Sequence, residues 1–234
     1  MNQLRQRRQE EKARRRNEIL DAAEAVAAEV GVEAMTMDMV AKHARLSRAL
    51  IYVYFADKFD LTVALCERGL LLLLRQFRQV APRHRAGLPR VAALGRAYVN
   101  FAQQHPLYFQ VISLFQAHAP DSSAQRPNEL ACKNTGDEVH AVTVAALRLG
   151  VADGSIRADL GDPMLVALTL WGFMHGTIQL AMTKAEVLAS DGLRVQQLID
   201  SAIRLCTRAL QAPSPGAPAT RAGKRQRRSA RRQA

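Results

Sequence analysis

The sequence predicts an all-α protein, and three observations lead to this prediction. Only 5% of the 234 residues are aromatic, whereas Ala and Leu are abundant, a balance that favours helices over sheets. Apolar residues recur at steps of three and four along the chain, and no segment has the alternation of a half-buried strand. Capping residues or prolines precede several of these segments. We therefore expect about nine helices.

An amphipathic helix is predicted first, because apolar residues form a stripe over residues 19–30. Gly31 is expected to end it in a C-cap position. Two short helices follow, with Thr36 and Ser47 as their N-caps, since a hydroxyl there accepts a hydrogen bond from a free backbone amide. The turn between them is residues 45–47.

Longer helices are predicted further along the chain. Asp57 is the N-cap of the first, and Pro89 and Pro106 open two more as first-turn prolines. The composition of residues 119–128 indicates a loop, which precedes a helix over about residues 129–152.

An uncharged run over residues 163–183 is long enough to cross a bilayer. Asp162 and Pro163 predict the start of a helix there. Because polar side chains and two glycines interrupt the run, we interpret it as a helix buried in a helical domain or at a subunit interface. We do not expect a membrane span. A last helix is expected over about residues 191–210.

Positive charge is concentrated at the two ends of the chain, whose net charge is +12. Residues 1–16 hold seven Lys or Arg and two Glu, residues 211–234 hold seven Lys or Arg and no acid, and the middle is neutral. We predict a basic N-terminal arm over residues 1–15 and a disordered basic tail over residues 212–234. Such ends commonly bind a polyanion, with nucleic acid as the first candidate. A solubilising role is the alternative for the tail.

A helix-turn-helix is predicted within residues 36–58. The two short helices meet at a three-residue turn, and their small apolar residues can form the inner face that such a pair needs. The second helix is narrow enough to enter the major groove of DNA. Ser47 caps this helix and leaves its N-terminal amides near a phosphate.

The same segment resembles the TetR family of transcriptional regulators. The resemblance is carried by the run S-x-x-x-x-Y-x-Y-F-x-x-K-x-x-L, which begins at Ser47 and follows two amphipathic helices. It is strong over about residues 15–65. It implies a three-helix DNA-binding domain with the helix-turn-helix over residues 16–62, and a helical effector-binding and dimerisation domain over residues 63–211.

The resemblance also implies which residues contact DNA. Base edges are read by Arg48, Ala49 and Tyr52, and phosphates are bound by Thr36, Tyr54 and Lys58. Helices that start near residues 163 and 191 pair with their copies across a two-fold axis.

The chain departs from the family pattern at three positions. Arg45 stands where the family usually has glycine, so it must tolerate the backbone angles of the turn, while its guanidinium can reach a phosphate. Leu50 and Val53 stand where polar residues are frequent. Specificity is therefore expected to depend on Arg48 and the N-terminal arm.

Aromatic and polar residues of the C-terminal half are candidates for a small-molecule site, because such sites are apolar cavities with a few polar groups. The pocket candidates are Phe101, Tyr108, Phe109, Trp171, Met174, His175 and Gln179, with Tyr98, His105 and Phe115 as further candidates. Most of them are expected to pack in the core. His175 and Gln179 are the better polar candidates, although a dimer seam could equally use both.

The resemblance implies a sequence-specific DNA-binding regulator. By family default it is a repressor that binds a palindromic operator as a homodimer and is released by an unidentified small-molecule effector. A nonspecific architectural DNA-binding protein is the alternative, suggested by the basic ends. An enzyme is not expected, because the sequence has no metal-ligand cluster, phosphate loop, nucleophile elbow or paired carboxylates. Neither a cofactor nor a metal is expected. Three well-separated cysteines and a polar N-terminus favour the cytoplasm.

Overall fold

The computed structural model describes residues 2–114 and 126–213. Over these ranges the fold is all-helical, as predicted, with ten α-helices, one 3₁₀ turn at Ala81–Arg83 and no strand. The helices are α1 Asn2–Val30, α2 Met37–Ala44, α3 Arg48–Tyr54, α4 Lys58–Val80, α5 Gly87–Gln104, α6 Pro106–Leu114, α7 Pro127–Ala152, α8 Pro163–Thr183, α9 Ala185–Ser190 and α10 Val195–Leu210.

The predicted capping residues occupy the ends of the helices. Thr36, Ser47, Asp57 and Asp162 each accept a hydrogen bond from a backbone amide two or three residues further on, over 2.7–3.2 Å. Gly31 ends α1 with a φ of 85°, in the left-handed region that favours glycine. These contacts fix where α2, α3, α4 and α8 begin.

Pro89 is the third residue of α5 and so lies in its first turn, as predicted. The amide of Gly87, at the start of this helix, is bound by Asp153 from the far end of α7. Other predicted boundaries differ by a few residues. The loop predicted over residues 119–128 lies outside the described residues except for its last three, and two of those already belong to α7. The helix predicted over residues 191–210 is α10, which begins four residues later than predicted, at residue 195.

The segment predicted as a basic N-terminal arm over residues 1–15 is helical from residue 2 onwards. It forms the first half of α1, a helix of 29 residues. Arg14 is paired with Glu11 and Glu18, each at 2.6 Å and one turn away, and such pairs stabilise an exposed helix. The basic tail predicted over residues 212–234 lies outside the described residues from residue 214 onwards.

The helices form two packed groups that share α4. The first part of α4 packs with α1, α2 and α3, around the buried side chains of Ile19, Val40, Ile51, Phe55 and Leu61. The rest of α4 packs along α6 and α7, and α5, α8 and α10 complete the second group. One continuous helix therefore connects the two groups.

Candidate DNA-binding surface and effector cavity

The turn between α2 and α3 is built around Arg45. Its φ of 55° and ψ of 40° are left-handed, and within the described residues it is the one residue other than glycine with a positive φ. The amide of Arg45 donates to the carbonyl of Lys42 over 3.2 Å, and that of Leu46 donates to Ala41 over 3.0 Å. This pattern is the Schellman motif that usually employs glycine, so the strain expected for an arginine at this position is present.

α3 exposes one face and buries the other. Ile51 is fully buried against α1 and α2, whereas Arg48, Ala49, Tyr52 and Val53 are exposed. The three residues that the resemblance implied as readers of base edges, Arg48, Ala49 and Tyr52, are therefore all exposed. Tyr52 is 41% exposed, so most of its ring still packs against its neighbours.

Arg48 is held in place by two neighbours. Its Nε and Nη1 lie 3.1 and 3.2 Å from the two carboxylate oxygens of Asp38 on α2. Its Nη2 donates to the Tyr52 hydroxyl over 3.4 Å, and the guanidinium lies 5.6 Å from the centre of that ring. The Tyr52 hydroxyl and the Asp38 carboxylate both raise the pKa of Arg48 above its ordinary value. Spacing along the chain does not reveal this contact, because Asp38 lies ten residues before Arg48 on another helix.

The predicted phosphate ligands differ in their availability. The hydroxyls of Thr36 and Ser47 act as caps through their oxygens, so their protons are free to reach a phosphate. Tyr54 is half-buried in the core. The ammonium group of Lys58 donates to the backbone carbonyl of Glu33. The Glu33 carbonyl occupies one of the three N–H groups of Lys58, and the role of Lys58 as a phosphate ligand stays a prediction.

The N-terminal half of α1 lies beside the end of α3. Arg7, Arg8 and Lys12 line an open groove together with Val53 and Tyr54. Unlike Arg14, these three cations have no ion-pair partner within the described residues. A row of unpaired positive charge therefore continues from the exposed face of α3.

Polar contacts join the start of α7 to the start of α4. Arg126 lies 2.7 Å from Asp57, and the Asn128 amide donates to Asp60 over 2.9 Å. Arg16 of α1 donates to the same Asn128 side chain over 2.9 Å. Burial acts to raise the pKa of Asp57, but the backbone amide of Asp60 and the Arg126 guanidinium outweigh it and lower that pKa below its ordinary value.

A cavity of about 60 Å³ lies between α4, α5, α7, α8 and α10. Its walls are mainly apolar and include Leu73 and Phe77 of α4. Of the predicted pocket residues, Tyr98, Trp171 and Met174 line it. Four residues that were not predicted also line the cavity: His140, Thr143, Cys206 and Thr207. Their helices have the apolar spacing that is typical of core helices and contain no functional motif.

The other predicted pocket residues lie elsewhere. Phe101 and Phe109 are fully buried in the core beside the cavity, where they contact the Tyr98 ring. The Tyr108 hydroxyl donates to Glu24, so this side chain faces α1 in the first group of helices. Gln179 is exposed, and His105 packs between Phe101 and Tyr108. These placements correct the prediction that Phe101, Tyr108, Phe109 and Gln179 line the pocket; Phe115 lies outside the described residues.

His175 sits behind the cavity wall in a chain of hydrogen bonds whose directions follow from one another. The Ser113 hydroxyl donates to the carbonyl of Phe109, so its oxygen accepts from Nε2 of His175 over 2.8 Å. Nδ1 then accepts from the Tyr98 hydroxyl over 2.6 Å, and Tyr98 accepts from the Trp171 indole over 3.2 Å. Burial lowers the pKa of His175, which agrees with the neutral ring that this chain requires.

α8 exposes an apolar face on the side opposite the cavity. Leu165, Leu168, Phe173 and Leu180 are each more than 40% exposed. Gly172 and Gly176 lie on the same face, and a Cβ added to either would have open space around it, with no atom within 4 Å beyond the backbone of its own helix. Gln179 shares this face, whereas the exposed side of α10 is polar apart from Leu205 and Ala209. Among the described helices, α8 is also the one with the length and composition of a membrane span.

Within the described residues, no group of three His, Cys, Asp or Glu side chains could hold a metal ion. The fold and its exposed α3 define a helix-turn-helix DNA-binding protein.

Comparisons with known proteins agree with this class. Residues 19–65 match the family model for bacterial regulatory proteins of the tetR family, and residues 91–206 match a tetracyclin repressor-like C-terminal domain. The chain belongs to the TetR family of transcriptional regulators. The comparison with curated proteins gave no match.

Solved structures share the fold over most of their length. A protein of unknown function from Rhodococcus sp. RHA1 is 26% identical, with a TM-score of 0.67 over 84% of this chain and 95% of that one. The regulator FadR from Bacillus subtilis, in complex with stearoyl-CoA, is 17% identical, with a TM-score of 0.62 over 83% and 98%. The ketosteroid regulator KstR2 of Mycobacterium tuberculosis is 22% identical, with a TM-score of 0.61 over 85% and 96%.

Proposed function

We propose that the protein is a cytoplasmic repressor that binds a palindromic operator as a homodimer and is released by a small-molecule effector. Its work is regulation through binding, with no catalytic step. The observation that carries this proposal is the arrangement of Arg48, which Asp38 and Tyr52 hold on the exposed face of α3. Base readout requires an exposed cation with a defined orientation, because bidentate contact with guanine depends on the direction of the guanidinium.

The rest of the DNA contact is expected to be with the phosphate backbone. Thr36, Ser47 and Arg45 surround the start of α3, and Arg7, Arg8 and Lys12 continue the positive surface beyond its end. Such contacts set affinity and position without reading sequence, so we now assign specificity to α3 alone and not to the N-terminal arm, which the sequence analysis had included. Lys58 can keep its bond to the Glu33 carbonyl and still offer its other N–H groups to a phosphate.

The exposed apolar face of α8 is the proposed dimer interface. A face of this kind is unfavourable in water, and a two-fold axis through it covers the same residues of both copies. Gly172 and Gly176 permit the two α8 helices to approach closely. This use also explains the exposed Gln179, and it requires no membrane.

Effector release is expected to act through α4. Leu73 and Phe77 line the cavity near one end of this helix, and the other end begins four residues after α3. The contacts of Arg126 and Asn128 tie that end to the start of α7. The cavity has room for about five water-sized groups, so a larger effector must part its walls. An effector that prefers the parted arrangement shifts the protein away from the DNA-binding one.

A competition assay separates this proposal from an architectural role. Duplexes enriched from a random pool by the full-length protein are labelled. Their binding is then competed either with the same duplexes unlabelled or with unselected random DNA. A regulator prefers the enriched duplex by about 10³–10⁷-fold. Equal competition by both DNAs would establish the architectural alternative and overturn the proposed function.

A further inference from the structure

The cavity walls carry information on the chemistry of the effector. None of the lining residues is Asp, Glu, Lys or Arg within the described part of the chain. An ion buried there would lose its hydration without gaining a counter-charge, which is strongly unfavourable. The part of a ligand that enters this cavity is therefore uncharged.

Most polar groups around the cavity are already used within the protein. The Trp171 indole donates to Tyr98, and the Tyr98 hydroxyl donates to His175. The Thr207 hydroxyl donates to the backbone of α10. A ligand gains little from competing with these bonds, because each one broken leaves a buried group unpaired.

His140 and Thr143 are the exceptions. They lie one turn apart on α7 and both line the cavity. The ring of His140 meets the Trp171 ring edge-on, with the two centres 5.8 Å apart, and neither His140 nor Thr143 makes a hydrogen bond among the described residues. Burial lowers the pKa of His140, with the charge of Asp137 opposing it. A neutral imidazole offers one donor and one acceptor.

We infer that the effector is an uncharged, mainly hydrocarbon molecule with a hydroxyl or carbonyl group, and that His140 binds this oxygen. The inference rests on the proposed function of the cavity as the effector site. Thr143 lies within one turn of His140, and its hydroxyl is a second hydrogen-bonding group in the cavity wall. The hydrocarbon part of the molecule packs against the apolar side chains of α4, α5 and α10.

The molecule contains its own reporter for a direct test. Trp171 is the sole tryptophan of the chain and lines the cavity, so its fluorescence reports occupancy without DNA or label. Full-length protein is titrated with straight-chain 1-alkanols of six to ten carbons, and with the carboxylates and amines of the same lengths. We expect the alkanols to bind about tenfold or more tightly than either charged series. Equal binding of a charged series, or no binding of any alkanol, would overturn the inferred effector class.

Variants test the role of His140. His140→Phe keeps an aromatic ring against Trp171 but removes both hydrogen-bonding atoms, and we expect it to weaken alkanol binding about three- to tenfold. His140→Gln retains a donor and an acceptor and should bind alkanols within about twofold of the unmodified protein. His105→Phe is the matched control, because that half-buried ring lies outside the cavity. Unchanged affinity in a folded His140→Phe protein would remove His140 from the site.

These titrations contain no DNA, so their result does not depend on whether the protein binds DNA as proposed. A protein that binds alkanols through His140 but shows no sequence preference on DNA retains the ligand site and loses the regulator. A sequence-specific DNA binder that ignores alkanols retains the regulator and loses the inferred effector class.

Discussion

α3 and α8 both expose a face that no other described residue covers, yet the two faces differ in chemistry. α3 presents a guanidinium held between a carboxylate and a phenol, whereas α8 presents leucine, phenylalanine and two glycines. A charged, directional surface suits the base edges and phosphates of DNA. An apolar surface with no charge suits a second copy of itself. Exposure alone therefore does not define a partner, and the chemistry of the exposed atoms does.

The two helices also depend on the rest of the chain to different degrees. α3 has seven residues, too few for a stable helix on its own, so its position is set by the Ser47 cap and the burial of Ile51. α8 has 21 residues and is held along its length by α7 and α10. Substitutions on the outer face of α8 should thus alter association with little effect on folding.

The largest expected effect comes from Leu168→Glu on α8. Two-fold symmetry would place two carboxylates in an apolar interface, where unpaired charges are strongly unfavourable. We expect the dimer to dissociate and operator affinity to fall about 100-fold or more, since each monomer then binds one half-site without the other. Sedimentation velocity measures the first effect and fluorescence anisotropy the second.

Leu130→Glu is the matched control for this variant. Leu130 is 43% exposed, as Leu168 is, but lies in the first turn of α7. It should leave both assembly and DNA affinity unchanged. If the Leu168→Glu protein remains a dimer, the α8 face is not the interface.

Arg48→Ala is expected to have the next largest effect. Loss of a bidentate base contact costs about 1–3 kcal/mol and relaxes the preference at one base pair. Binding to a panel of operators with single base changes measures both quantities. A loss that is equal for every operator would mean that Arg48 contacts phosphate alone.

Replacement of Arg7, Arg8 and Lys12 by Ala tests the N-terminal half of α1. Each lost phosphate contact reduces the magnitude of the slope of log affinity against log salt by about 0.9, so we expect a reduction of about 5 when both protomers of the dimer lose three contacts. Sequence preference should not change, which distinguishes this surface from α3. Alanine in place of Arg14 is the control, because that residue is already paired with Glu11 and Glu18. An unchanged slope in the triple variant would exclude this surface from the DNA contact.

Arg45→Gly is expected to have the smallest effect, and in the opposite direction for stability. Glycine adopts the left-handed angles of this turn without strain, so the free energy of unfolding should rise by about 0.5–1 kcal/mol in urea denaturation. Arg45→Ala keeps the strain and should not gain this stability. A glycine variant no more stable than the alanine variant would mean that the turn is not strained.

The sequence predicted the parts of this molecule that depend on short-range chemistry. The N-caps of α2, α3, α4 and α8 were identified correctly, because a cap and the amide it binds lie two or three residues apart. The outward placement of Arg48 and Tyr52 was implied by the family resemblance, and both residues are exposed beside buried Ile51.

Contacts between distant segments could not be predicted in this way. Tyr108 was assigned to the pocket, but it bonds to Glu24, 84 residues away, and thereby faces α1. His140 and Thr207 were missed because a helix reveals its cavity-facing side only when its neighbours are known. The contact between Asp38 and Arg48 was not predicted, because it depends on the angle between α2 and α3.

The central claim is that two copies of α3 read DNA side by side, related by the two-fold axis through α8. Sequencing of duplexes selected from a random pool by the full-length protein tests this claim most directly. We expect an inverted repeat whose half-sites are centred about one helical turn, or 34–36 Å, apart. A single unrepeated site, or a direct repeat, would contradict the two-fold arrangement.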